Sequence, residues 1–157
     1  MSAAADPQAE AAAALLGRVR GGRAVVMGVG RFGGGLGAAR FLLRQGARVL
    51  ATDLRSAAEL PEAVQALAGQ DLSWALGGHR PEDFAAADVV VANPAVKPAH
   101  PLLRAARAAG AWITTEVELF LAAAPCRRVL ITGTQGKSST TRFCAQLLSA
   151  AGLRVHL

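Results

Sequence analysis

The sequence predicts an α/β fold, a parallel sheet with flanking helices, and three observations predict it. Short apolar runs alternate with longer Ala/Leu/Arg stretches; Gly, Pro or Asp punctuates the joins; and the first apolar run leads straight into a glycine-rich turn. At 157 residues and 52% hydrophobic content the chain can fill one full core, with length over for a second small lobe.

A leading helix is expected from Pro7 to Val19, followed by strands near Arg23 to Met27, Arg48 to Thr52, Leu72 to Leu76, Val89 to Ala92 and Trp112 to Thr114. Helices fill the gaps. The first of these runs from Gly35 to Gln45, sets Leu36, Ala39, Phe41 and Leu43 on a broad apolar side, and ends at Gly46. His100 and Pro101 open a helix to Ala109, because proline's missing N–H costs nothing in a first turn, and Gly110 closes it. Trp74 and Trp112 read as core residues. After Thr115 a further helix (Glu116, Val117, Leu119, Phe120, Ala123) reaches Pro125, where a domain boundary is placed. The second unit reads as a strand from Arg128 to Thr132, a glycine turn, a helix from Lys137 to Ala151 and the opening of a strand from Leu153 to Leu157. The expected organisation is thus a helix or tail over 1–22, a sheet domain over 23–125 and a second, incomplete unit over 126–157.

Composition narrows the functions. The chain carries 17 Lys plus Arg against 11 Asp plus Glu, but the cations are scattered singly among alanines, so nucleic-acid binding is not expected. Cys126 and Cys144 form neither a CxxC pair nor a metal-ligand spacing, which suits a reducing cytoplasm. The first residues lack the early cation of a signal peptide, and no apolar run approaches the roughly 18 residues of a membrane span.

Two glycine loops carry the chemistry. Gly28-Val-Gly30-Arg-Phe-Gly33 follows the strand Ala24 to Met27 and opens a helix, so close backbone approach would let a diphosphate rest on helix N-terminal N–H groups. Asp53, twenty positions past Gly33, falls where such folds place an acid for a ligand's sugar or base, and Arg55 is close by. On these residues a nicotinamide dinucleotide is the conventional ligand; other nucleotides and a purely structural turn stay open. The second loop is Gly133-Thr134-Gln135-Gly136-Lys137-Ser138-Ser139, between an apolar strand and a helix start. Its amides would cradle phosphates, Lys137 would neutralise β/γ charge and the Ser138 hydroxyl would bind Mg²⁺. Its spacing is shorter than GxxxxGK[ST], with two residues between Gly133 and Gly136.

The short Gly-Thr-x-Gly-Lys-Ser loop resembles that of the Mur ligases and folylpolyglutamate synthases. The order of glycine loop, Asn93-Pro94-Ala95-Val96, His100-Pro101-Leu102-Leu103, Glu116-Val117-Glu118-Leu119-Phe120 and phosphate loop is similar to the D-glutamate-adding branch of the Mur ligase family, over Arg23 to Leu157. The resemblance implies a Rossmann-like N-terminal domain that binds UDP rather than a nicotinamide. It places Gly30, Arg31, Phe32 and Gly33 at the diphosphate, Asp53 and Arg55 at the uracil, and Asn93, Pro94 and Ala95 where the family usually has Ser-Pro-Gly. It also implies ATP and Mg²⁺ as cofactors, with Gly133, Thr134, Gln135, Gly136, Lys137, Ser138 and Ser139 at ATP and Lys137 and Ser138 serving phosphoryl transfer. The implied partners are UDP-N-acetylmuramoyl-L-alanine and D-glutamate, joined by a monomeric cytoplasmic enzyme through an acyl phosphate, in peptidoglycan synthesis.

The chain is expected to stop before the rest of the ATPase domain and the C-terminal domain, and so to be inactive alone. A nicotinamide-dependent oxidoreductase module and a non-catalytic nucleotide-sugar-binding protein are the competing readings. Glu116 and Glu118 read as a solvated helix start, and His79 and His100 as surface or cap residues.

Overall fold

The five apolar runs up to Thr114 form the sheet where the sequence places them. The computed structural model describes residues 7–30 and 34–157. Strands β1 (Arg23–Met27), β2 (Arg48–Asp53), β3 (Leu72–Leu76), β4 (Val89–Ala92) and β5 (Trp112–Thr114) pair in parallel in the order β3-β2-β1-β4-β5. Helices α1 (Pro7–Val19), α2 (Gly34–Arg44), α3 (Pro61–Ala66), α4 (Pro81–Ala85), α5 (Pro101–Ala108) and α6 (Glu116–Ala123) surround it.

The two central strands explain why the runs are continuous. In β1 Ala24, Val25, Val26 and Met27 are all buried, as are all four residues of β4, because helices cover both faces of a parallel sheet. On one face Ala24, Val26, Val89 and Val91 meet Leu15 and Val19 of α1, Ala39 and Leu42 of α2, and Leu119 of α6. On the other, Val25, Met27, Val90 and Ala92 meet Phe84 of α4 and Leu103 and Ala106 of α5. Trp74 and Trp112 lie on the edge strands β3 and β5 and are only half-buried, flanking the first cluster rather than sitting inside it. Arg18 fixes α1 to this edge: its Nη1 donates to the Gly110 carbonyl at 2.7 Å, and its guanidinium lies 5.9 Å from the Trp112 ring centre.

The chain divides into two compact units, Met1–Ala124 and Pro125–Leu157. In the second, helix α7 (Lys137–Ala150) forms. The strands expected at 128–132 and 153–157 do not: neither segment carries a ladder, and Leu130 and Leu153 are exposed. An extended segment becomes a strand only when neighbouring strands take up its N–H and C=O groups, and these segments have no such neighbour among the described residues.

Candidate functional site

In the first unit the chemistry gathers at the carboxyl edge of the sheet. β1 leads through α2 to β2 on one side, whereas the chain returns to β4 on the other, so the loops after β1 and β4 border the point where strand order reverses. Ligands of open α/β sheets bind in that crevice. The loop after β1 holds Gly28 at φ +84° and Gly30 at φ +74°, left-handed conformations that suit glycine. A Cβ at Gly28 would lie 2.9 Å from the Cβ of Asn93, so the two loops pack backbone against side chain.

Asn93 is occupied by this packing. Its Nδ2 donates to the Gly28 carbonyl at 3.4 Å and its Oδ1 accepts from the Ala95 N–H at 2.9 Å, leaving Pro94 and Ala95 exposed at the loop tip. Arg31, Phe32 and Gly33 lie outside the described residues.

Asp53, at the end of β2, is 4% exposed and accepts four bonds. The Gly30 N–H donates to Oδ2 at 3.4 Å and the Arg55 N–H to Oδ1 at 3.1 Å. The Arg55 guanidinium grips both oxygens, Nε to Oδ1 and Nη2 to Oδ2, each at 3.0 Å. Burial pushes the Asp53 carboxyl up, but the Arg55 and Gly30 hydrogen bonds and the Arg55 charge outweigh it and hold the carboxyl below its ordinary 3.8. Asp53 therefore ties the glycine loop to Arg55 as a fixed ion pair.

Two residues behave differently from the sequence reading. His79, expected at the surface or a cap, is half-buried just beyond β3; its Nδ1 lies 2.8 Å from the Thr52 hydroxyl and its ring meets Phe84 edge-on at 5.9 Å. Burial lowers its pKa and the neighbouring His100 lowers it further, while Asp53 opposes them in part. Its place directly after an apolar run, at the carboxyl edge of the sheet, is the signal that pointed inward. His100 does cap α5, accepting the Leu102 N–H at 3.3 Å. Glu118 closes a capping box with Thr115. Glu116, expected to be solvated, is half-buried, and its carboxylate lies where a Cβ of Gly34 would be.

In the second unit Gly133 (φ +155°) and Gly136 (φ +75°) bracket the other glycine loop, and Gly136 stands at the N-terminus of α7. Lys137 folds over the loop, its Nζ donating to the Gly133 carbonyl at 2.6 Å. Thr134, Gln135, Ser138 and Ser139 are exposed beside it. Among the described residues no cluster of His, Cys, Asp or Glu could by itself hold a metal, and no helix is long and apolar enough to cross a membrane.

Residues 22–115 match the family described as Mur ligase MurD-like, N-terminal domain. The chain is 47% identical over 131 residues to the UDP-N-acetylmuramoylalanine--D-glutamate ligase of Roseiflexus sp., covering 83% of this chain and 28% of that protein. It is 43% identical over 150 residues to the ligase of the same name from Treponema pallidum, covering 94% and 28%. A pseudomurein peptide ligase type C from Methanothermus fervidus is similar in structure, at TM-score 0.50 and 26% identity, covering 87% of this chain and 28% of that one. The chain spans 28% to 30% of the length of three curated relatives that it matches, less than a third in each case. With more than half its residues inside the family's domain and this degree of identity, the chain belongs to the MurD-like Mur ligases, through their N-terminal domain.

Proposed function

We propose that this chain is the N-terminal part of a ligase that uses ATP to add D-glutamate to UDP-N-acetylmuramoyl-L-alanine in the cytoplasm, for peptidoglycan synthesis. The first unit is the UDP-binding part, with Gly30, Arg31, Phe32 and Gly33 at the diphosphate, Asp53 and Arg55 at the uracil, and Asn93, Pro94 and Ala95 on the far side of the crevice. The observation that carries this reading is the Asp53 carboxylate bonded at once to Gly30 and Arg55. It joins the backbone of the glycine loop at Gly30 to a half-buried guanidinium 3.0 Å from a fixed acid, where a base carbonyl can be read.

The residues of the second loop fit ATP and Mg²⁺. Gly136 in the left-handed conformation aims the first N–H groups of α7 into the loop, and an ammonium is already held across it at Gly133. Gly133 to Ser139 would hold the triphosphate, Lys137 would set its charge against the β/γ oxygens, and Ser138 would offer its hydroxyl to Mg²⁺. ATP supplies the phosphoryl group that activates a carboxylate for amide formation. The chain's own contribution there is to bind and orient.

Calorimetric titration with UDP-N-acetylmuramoyl-L-alanine, NADH and ATP tests the reading. Binding of the uridine nucleotide to the chain, with NADH silent, is the expected result; binding of NADH alone would replace it with the oxidoreductase reading. Lys137→Ala is expected to abolish any ATP heat and leave the uridine nucleotide's unchanged.

A further inference from the structure

The turn after β3 is laced to the two residues proposed at the uracil. The Gly77 N–H donates to the Arg55 carbonyl at 2.9 Å and the Gly78 N–H to the Asp53 carbonyl at 3.2 Å, which brings His79 to the end of β2. There its Nδ1 lies 2.8 Å from the hydroxyl of Thr52, a fully buried residue, and that hydroxyl donates to the Gly78 carbonyl at 3.3 Å. A hydroxyl carries one hydrogen, so both contacts form together only when the imidazole proton sits on Nδ1 and is donated to Thr52. Burial holds the ring below its ordinary 6.5, with Asp53 opposing and His100 reinforcing this, so the ring is neutral at pH 7.5 and its Nε2 is a bare acceptor.

That acceptor faces outward. Among the described residues no buried side-chain nitrogen or oxygen lacks a hydrogen-bond partner, so Nε2, which has none there, is open to solvent. The ring is held from behind by Thr52 and by the buried Phe84, which it meets edge-on at 5.9 Å. The neighbouring acid is already spent: Gly30 and Arg55 supply Asp53 with four bonds, which matches the roughly four lone-pair sites of a carboxylate. Arg55 can only donate. A uridine, however, also presents donors, the imino N–H of its base and its ribose hydroxyls, and these need an acceptor.

We propose that His79 is a specificity residue of the nucleoside site, its Nε2 accepting a hydrogen bond from the imino N–H or a ribose hydroxyl of the bound nucleoside while Thr52 holds the other edge of the ring. The inference rests on the proposed UDP site of the first unit, and on its nucleoside end alone. One neutral hydrogen bond of this kind is worth roughly three- to tenfold in affinity.

The test is NMR on the isotope-labelled 157-residue chain at pH 7.5, titrated with uridine, 3-methyluridine, 2′-deoxyuridine and 3′-deoxyuridine, with His79→Asn and His79→Gln alongside and each variant's spectrum confirming its fold. The ring nitrogen shifts of His79 are expected to show the proton on Nδ1. His79→Asn puts an amide N–H where Nδ1 was, keeping the bond to Thr52 but leaving nothing at Nε2, and should bind uridine roughly three- to tenfold more weakly. His79→Gln reaches the Nε2 position with an amide oxygen and should recover part of that loss. In the unaltered chain the analogue that lacks the recognised donor should bind more weakly than uridine, and this difference should shrink in His79→Asn; a shrinking difference for 3-methyluridine identifies the base, one for a deoxyuridine the ribose. A proton on Nε2, uridine affinity unchanged in folded His79→Asn, or analogue differences that persist in that variant would overturn the role of His79 and leave the uridine site standing. Uridine that binds neither the unaltered chain nor the variants would remove the uridine site and this inference with it.

Discussion

Removing the Asp53 carboxylate should destabilise the first unit more than removing its partner Arg55, and the structure sets the size. Asp53 is 6% exposed at its side chain and Arg55 27%, so the pair is shielded on the acid's side and partly screened on the arginine's. A hydrogen bond to a charged group is worth about 1.5–3 kcal/mol net, and screening at Arg55 puts the bidentate contact near the lower end. Asp53→Ala also strands the Gly30 and Arg55 N–H groups at the glycine loop. The sum is about 2–3 kcal/mol, a loss of roughly 10 °C in Tm for a unit of this size. Arg55→Ala leaves those two N–H groups still bonded to Asp53 and should cost about 1–2 kcal/mol. Tryptophan fluorescence reads the unit cleanly, since the chain's two tryptophans, Trp74 and Trp112, both belong to it. Because the carboxyl's pKa is held below 3.8 in the fold, its stabilisation is complete above 3.8 and is lost as pH falls through the lowered value. The gap between the unaltered chain and Asp53→Asn should therefore close on acidification. A Tm for Asp53→Ala within about 2 °C of the unaltered chain, equivalent to well under 1 kcal/mol, would refute the anchoring role.

His79 gives a second pH signature. Its pKa is lowered in the fold, so its contribution is complete above the ordinary 6.5 and drains away as pH falls through the lowered value; urea midpoints at pH 7.5 and 5.5 should differ in the unaltered chain and differ less in His79→Gln. Gly28→Ala combines a strained φ of +84° with a Cβ 2.9 Å from that of Asn93, and should cost at least about 1 kcal/mol in urea denaturation while weakening uridine nucleotide binding, because it pushes apart the two loops of the crevice. Unchanged affinity in a folded Gly28→Ala chain would mean that the crevice is not the binding surface.

The sheet was legible because its central strands are covered on both faces and so appear as unbroken apolar runs; Val25, Val26, Val90 and Val91 announce themselves. Gly46 and Gly110 marked helix ends for an equally local reason, each taking a positive φ just past a helix. The same logic overreached at 128–132. An apolar run states that a segment must be covered, but not that a neighbouring strand is at hand, and Leu130 remains 65% exposed. Trp74 and Trp112 looked like core because of their size, whereas edge position, which depends on strand order, decides how much of them is covered.

What stayed hidden at the candidate site is long-range. Gly34 and Glu116 meet only because the strand order brings the α2 and α6 starts together, and nothing around either residue hints at the other. Asp53 shows the same limit in a subtler form. Its position after β2 was readable from spacing, but a sequence cannot say whether such an acid is free for a ligand hydroxyl or already engaged. Here four donors surround it, two of them from one guanidinium, so its lone pairs serve the protein first. In the proposed uridine site Asp53 therefore acts by holding the glycine loop and Arg55 in place, with the outward side of Arg55 left to meet the ligand, and a substitution at Asp53 should alter affinity by moving both together.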